Sequence, residues 1–395
     1  MPFSRWIKAL VASAAVVALC VPNAAIGAEP VEIPTILSLT GTGAFVGTGQ
    51  QQSIQLLEAA VNKNGGINGR PVHFAIKDDQ SNPQVAIQLA QAVLAQKSNV
   101  LLGPSITGSC NAVIPLVSAN GPVTYCLTAG AAPAPGGYVF ATLTPTPDLL
   151  AVAMRYFHDR GWKKIAYIVP SDAGGQDAEK GINAASDLPE NKGIEIVDRE
   201  RIGPTDISAS AQIAKMRAAA PDAVIAWATG TVGGTILHGF HDAGWDVPVV
   251  LSPGNMTSTF GKQFGAFLTD QMFMPAMSYF GGPSAVDAKT RAAIAQITAA
   301  YKAANLVPDQ IALSAWDPAS LLVEVLRRAG PDASPAKLRD ALANLRDYGG
   351  ANGLYDFVKY PQRGLGAPAV LVIRYEPGKD DYLPVSRLGG APLVR

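Results

Sequence analysis

Cysteine and histidine are scarce in this 395-residue chain, with three of the first and four of the second, and neither sign of charge is in surplus, since 31 basic residues face 31 acidic ones. Each shortage removes a class of function. The histidines are His73, His158, His238 and His241; only the last two are close, three apart on a predicted helix, and with no acidic partner pattern they read as a helix surface rather than a metal pair. No Gly-x-Ser-x-Gly elbow is present, which leaves acyl transfer by that route without its nucleophile. Asp78 and Asp79 are adjacent at a strand end and so point to opposite faces; turn hydrogen bonding is expected of them, not paired-carboxylate catalysis. Balanced charge argues against nucleic acid or an anionic membrane as partner. No cofactor, metal or enzymatic activity is expected.

Beyond the N-terminal segment no uninterrupted apolar run of about 18 residues occurs, so no membrane span is expected there. Residues 1–28 have the form of a secretory signal: Arg5 and Lys8 give a positive start, Ala9 to Val21 an apolar stretch too short to span comfortably, and Ala25, Gly27 and Ala28 small residues for cleavage. Cleavage after Gly27 places Ala25 at the minus-three position, while cleavage after Ala28 places Ile26 there, an imperfect fit; the mature chain is taken to begin at Glu29 and to be periplasmic. Cys20 follows bulky Leu19, which does not suit lipoprotein processing, so it leaves with the signal. The remainder carries 29 basic and 31 acidic residues, a formal charge of −2. At roughly 367 residues it exceeds what one core serves, so two domains are expected. Export permits a bridge between the two remaining cysteines, Cys110 and Cys126. The sequence leaves that bridge and two buried free thiols both open.

Short β-branched runs alternate with helical patterns, the mark of βαβ units on parallel sheets. Strand 31–39 leads to a helix over 50–64, with Ile54, Leu57 and Val61 at core-facing spacing, and Asn64-Gly65-Gly66 stops it. Strand 72–77, helix 83–96, strand 100–103, helix 109–119 and strand 123–127 complete one doubly wound lobe. After the turn-rich Thr144-Pro145-Thr146-Pro147, helix 148–160, strand 164–169, helix 176–188, strand 194–199, helix 208–219, strand 223–227 and helix 233–243 form a second. Helices over 284–304 and 310–329 follow a strand around 272–275 and have no strands of their own. The economical reading is that the chain crosses back to the first lobe, then again near Tyr355, and ends in strands 369–374 and 382–385.

Two turns could hold a ligand. Thr40-Gly41-Thr42-Gly43-Ala44-Phe45-Val46-Gly47 follows a strand and opens a helix, but three residues separate Gly43 from Gly47 where a dinucleotide fingerprint has two. What it keeps is a glycine-rich turn that brings backbone donors close to a ligand. In the second, Pro104-Ser105-Ile106-Thr107-Gly108-Ser109, hydroxyls and unpaired N–H groups converge where the helix dipole is positive, which suits a carboxylate. Ordinary N-capping by Thr107 or Ser109 is the alternative.

The run Asn62-Lys63-Asn64-Gly65-Gly66-Ile67-Asn68-Gly69-Arg70-Pro71-Val72, followed by Asp78-Asp79-Gln80-Ser81-Asn82-Pro83, resembles the periplasmic leucine/isoleucine/valine-binding family of ABC-type importers. The similarity continues through Gly103 to Ser109, Asp172 to Asp177, Asp206-Ile207-Ser208, Pro221-Asp222-Ala223-Val224 and Trp316-Asp317, in order and over essentially the whole mature chain. The resemblance implies an α/β fold of the type I binding-protein kind: two doubly wound lobes with central parallel sheets, joined by a three-strand hinge that closes over a buried ligand. It divides the chain into residues 29–146 with 276–355 as lobe 1 and 147–275 with 356–395 as lobe 2. It also implies a monomer that meets the permease and ATPase complex of an importer.

Carried over position by position, the family's hydroxyl for the ligand carboxylate falls on Thr107 with Ser105 nearby, and its backbone contacts on Leu127, Thr128 and Ala129. The first-turn aromatic corresponds to Phe45 or Val46, and the late aromatic to Trp316. The chain departs from the pattern at Asp172-Ala173-Gly174-Gly175, where Gly174 replaces a tyrosine, and Thr229 takes the following cleft position. The acid that pairs with an amino acid's ammonium is missing near Pro253, where Gly254, Asn255 and Met256 stand. Burying an ammonium without a counter-charge is costly, so a carboxylate lacking an α-amino group, aromatic or branched aliphatic, is favoured. A branched-chain amino acid held by Asp172 or Asp177 is the alternative. A ligand sensor signalling to a membrane receptor would use the same fold.

Overall fold

The computed structural model describes residues 29–393 apart from 283, 284, 378 and 380. The expected signal segment, with Cys20, lies outside the described residues. Two sheets organise the chain. The first has the order β2-β1-β3-β4-β5, all parallel. Its strands are β1 (Val31–Leu37), β2 (Val72–Asp78), β3 (Val100–Leu102), β4 (Val123–Cys126) and β5 (Val139–Ala141). Between them run α1 (Ala44–Lys63), α2 (Pro83–Ala95) and α3 (Thr107–Val117). Asn82 caps α2 by accepting from Gln84 N, with Pro83 at the first helical position.

The second sheet follows α4 (Thr146–Asp159). It contains β6 (Lys164–Pro170), β7 (Glu195–Ile202), β8 (Ala223–Ala226), β9 (Val249–Leu251) and β10 (Met272–Met277), with α5 (Ala173–Ser186), α6 (Ser210–Ala218), α7 (Thr231–Asp242) and α8 (Ser258–Phe264) between them. The chain then returns to the first lobe: α9 (Ala288–Ala303), α10 (Gln310–Ala329) and α11 (Pro335–Ala343) precede the hairpin β11 (Tyr348–Gly350) and β12 (Gly353–Tyr355). Finally β13 (Val370–Glu376) and β14 (Asp381–Pro384) add antiparallel to the second sheet, whose order is β14-β13-β10-β9-β8-β6-β7. The chain therefore passes between lobes after β5, after β10 and after β12.

Several elements differ from the periodicity reading. α1 begins at Ala44, six residues before the expected start, because Gly47 lets the helix lie against the strand end: a Cβ there would collide with the Ser38 carbonyl. β5, β9, the hairpin and α11 were not marked by apolar pattern; the strands are three residues each, too short to show a period. α11 did carry a start signal, Ser334 accepting from Lys337 N before Pro335. Cys110 and Cys126 are bridged, with Cα atoms 6.1 Å apart, tying α3 to β4 within a cluster that holds Ala86, Ala90 and Val113.

The free edge of the first sheet, β2, is closed by side chains of α1. Asn62 behaves like a strand neighbour, accepting from Val72 N at 2.7 Å and donating to Val72 O at 2.8 Å, and Glu58 accepts from Phe74 N at 2.8 Å. Unpaired edge groups recruit other chains; here both backbone groups of Val72 and the amide of Phe74 are already bonded. Asp78 and Asp79 do what the sequence suggested: Asp78 accepts from Leu39 N, Thr40 and Gln80 N, while buried Asp79 accepts from Ser81 N. His238 lies 2.9 Å from Asp242 one turn on, and both it and His241 pack edge-on against Phe267 at the surface of α7.

Candidate functional site

The carboxyl ends of both parallel sheets face one another across a seam, the position where open α/β sheets bind ligands. On the first lobe, α3 starts directly after β3. Its N-cap position is Ile106, which offers no side-chain cap, so neither Thr107 nor Ser109 caps the helix. Thr107 instead reaches across to β4's loop, its Oγ1 3.0 Å from Thr128 Oγ1, which also accepts from Gly130 N at 3.3 Å. Two hydroxyls thus sit together at the positive end of an eleven-residue helix whose first amides lack side-chain partners.

Asp177, on α5 of the second lobe, faces this pair. A Cβ added at Gly130 would stand 2.5 Å from Thr107 Oγ1 and 3.0 Å from Asp177 Oδ2, so hydroxyl and carboxylate share one small space that only glycine leaves open. Burial pushes the Asp177 carboxyl above its ordinary value, against a hydrogen bond with Thr146 and the charge of Arg363. Arg363 lies on the third crossover, 7% exposed. It donates to the carbonyls of Thr142 (2.9 Å), Ala129 (2.8 Å) and Ala131, and burial pushes its guanidinium down to about 10 against Asp177 and Asp148.

Phe45, in the first turn of α1, meets the second lobe: its ring is 6.3 Å from that of Phe260, edge-on, and beside Gly230. A third contact runs from Gln310 N to the Met256 carbonyl at 3.2 Å. The structure therefore gathers Phe45, Thr107, Thr128 and Thr229 around the seam, Thr229 Oγ1 lying 3.1 Å from Ser252 Oγ.

Other expected contacts are already engaged. Ser105 is buried and its Oγ accepts from Ser38 N, toward β1. The Leu127 carbonyl accepts from Gln50 and that of Ala129 from Arg363. Asp172 is exposed and caps α5 by accepting from Gly175 N at 3.0 Å, so of the two acids weighed for an ammonium it is Asp177 that faces the hydroxyls. Beside it, a Cβ on Gly174 would meet only Asp172, which leaves open the space a tyrosine would fill. Asn255 is fully buried and both ends of its amide are bonded, accepting from Gly230 N at 3.0 Å and donating to Ala228 O at 2.8 Å; it shapes the loop after β8 rather than offering itself to a ligand. Trp316 is 3% exposed within the hydrophobic core. Sequence reading missed Arg363, Gly130, Gln50 and Gln310.

α10 begins at the seam with Asp309 as its cap, accepting from Ala312 N at 2.8 Å. Burial pushes its carboxyl up to about 6. A folded-state value above the unfolded one means that folding favours the protonated form, so the penalty is absent below about pH 4 and complete above about pH 6. Asn keeps the cap without the charge. Asp309→Asn is expected to raise stability at pH 7 by on the order of 2–3 kcal/mol and to leave it unchanged at pH 4. Urea unfolding at the two pH values checks this, and equal gains at both would assign the effect to something other than titration.

Two parallel-sheet lobes connected by three crossovers, meeting at the carboxyl ends of their strands, define a two-lobed solute-binding fold. Residues 30–376 match the family described as periplasmic binding protein, and the chain belongs to that family. It is 25% identical over 355 residues to a Leu/Ile/Val-binding protein homolog 3 of Brucella melitensis, covering 88% of this chain and 92% of that one. A periplasmic binding protein type 1 from Bordetella pertussis superposes with a TM-score of 0.77 at 24% identity, over 90% of this chain and 99% of the other. The branched-chain amino acid transporter substrate binding protein LivJ of Streptococcus pneumoniae, in complex with isoleucine, gives 0.74 at 21%, over 90% and 99%. A solute binding protein of an R. palustris ABC transporter, in complex with benzoate, gives 0.74 at 20%, over 93% and 98%.

Proposed function

We propose that this chain captures a small carboxylate between its lobes and delivers it to an ABC-type importer. The observation that carries the reading is the Thr107–Thr128 hydroxyl pair at the uncapped start of α3, where a carboxylate would find hydroxyl donors, free amides and a favourable dipole. The segment Ser252 to Thr257 supports an acid without an α-amino group, since it contains no charge and its one amide side chain is already bonded. Fold neighbours in complex with isoleucine and with benzoate support a small carboxylate as the ligand.

Asp177 favours a second reading, a branched-chain amino acid whose ammonium would lie between that carboxylate and the threonines. Calorimetry with 4-methyl-2-oxopentanoate and leucine separates the two. The oxo acid is expected to bind at least about tenfold more tightly, Thr107→Ala to weaken it by roughly tenfold to a hundredfold, and Asp177→Asn to leave it bound. Tight leucine binding that Asp177→Asn abolishes would select the amino-acid reading; unchanged affinity in Thr107→Ala would move the anion elsewhere.

A further inference from the structure

Gln310 opens α10, is 1% exposed, and neither end of its amide has a partner among the described residues. It stands on the seam, where its backbone N–H meets the Met256 carbonyl of the second lobe. Four residues on, and therefore on the same helix face, Ser314 Oγ accepts from Gln50 Nε2 at 3.1 Å. Gln50 on α1 is fully buried and also donates to the Leu127 carbonyl at 3.0 Å, at the head of the loop that carries Thr128 and Gly130. Its Oε1 likewise has no partner among the described residues. Buried amides without partners are costly. Two of them on helices packed together, at the place where the lobes touch, mark a position where an incoming molecule supplies the bonds.

We propose that Gln310, with Gln50 Oε1, forms a neutral subsite that reads an uncharged group able both to donate and to accept, a hydroxyl or a carboxamide, on the captured carboxylate. The inference rests on the small-carboxylate reading and names the second feature of that ligand. The inventory decides the chemistry: Gln310 offers an acceptor oxygen and a donor NH2, Gln50 a further acceptor. A second carboxylate would face two acceptor oxygens against one donor group. An ammonium would find no counter-charge on either glutamine.

The test compares wild type with Gln310→Met, which keeps the volume and removes the amide. Benzoate, 4-hydroxybenzoate and 4-carbamoylbenzoate are titrated into both proteins, and the unliganded forms are melted. Wild type is expected to prefer a substituted acid over benzoate by about tenfold; the 4-hydroxy and 4-carbamoyl arms show which group is read. Gln310→Met should lose that preference, and its unliganded form should melt higher, because an unpaired buried amide has gone. The same preference in both proteins, or a lower melting temperature showing that the amide is satisfied within the protein, overturns the proposal. If none of the three acids binds wild type, the aromatic-carboxylate reading alone falls, and the melting comparison still decides the subsite.

Discussion

Arg363→Met is expected to destabilise the protein by about 3–5 kcal/mol, the cost of leaving buried charges and carbonyls without their partner. The guanidinium joins three carbonyls of the segment between β4 and α4, on residues 129, 131 and 142, to the third crossover. It also balances Asp177 and Asp148, whose carboxyls burial pushes up; Asp148 in turn accepts from Ala367 N on the same crossover. Removing it frees those carbonyls and takes from both buried acids the cation that offsets their burial. Arg363→Lys keeps the charge but not the fork, so it should fall between wild type and the methionine variant. Urea unfolding at pH 7 reads all three. A loss below about 1 kcal/mol in Arg363→Met would show that water replaces the guanidinium without cost.

Asp317→Ala should be comparably damaging, at about 3–5 kcal/mol. This fully buried carboxylate sits in the middle of α10 and accepts from Ala351 N (2.8 Å), Asn352 N (2.7 Å), Asn352 Nδ2 (2.9 Å) and Tyr355 Oη (3.1 Å). It thereby holds the turn of the β11–β12 hairpin, from which the chain leaves for the second lobe. Burial pushes its carboxyl above the ordinary value, and the four donors oppose that shift. Alanine strands three of the donors in the interior and leaves Asn352 Nδ2 only the Leu313 carbonyl. Hydrogen exchange at Ala351 and Asn352 locates the effect: if those amides stay protected while stability falls, the carboxylate acts by packing alone.

The alternation of strands and helices was legible because each βαβ unit writes its own period, and α10 was read to the residue. The turn at Thr107 was legible too, since a hydroxyl after a strand and before a helix has few places to go. What sequence did not carry is partnership across long separations. Ala129 and Arg363 are 234 positions apart, and Gln50 and Ser314 are 264; nothing local marks either pair. Asn255 was misjudged for the same reason, its partners lying 25 and 27 residues earlier. Asp172 could have been placed correctly, since an aspartate just before a helix is a cap more often than a ligand contact.

The packing of α1 against α10 has a consequence for the order in which the chain can acquire structure. Ile54 and Leu57 are buried on α1, and Ser53, just before them, donates to the Ala312 carbonyl of α10, 259 residues further on. Until residue 329 has been synthesised, α1 lacks the cover that α10 gives it, and the second sheet waits longer still for β13. Contacts this distant close late, so neither lobe is complete until the distant elements have emerged. Connectivity alone leaves both lobes incomplete until nearly the full length is available, and a chain whose lobes close that late is suited to being threaded through a narrow passage first.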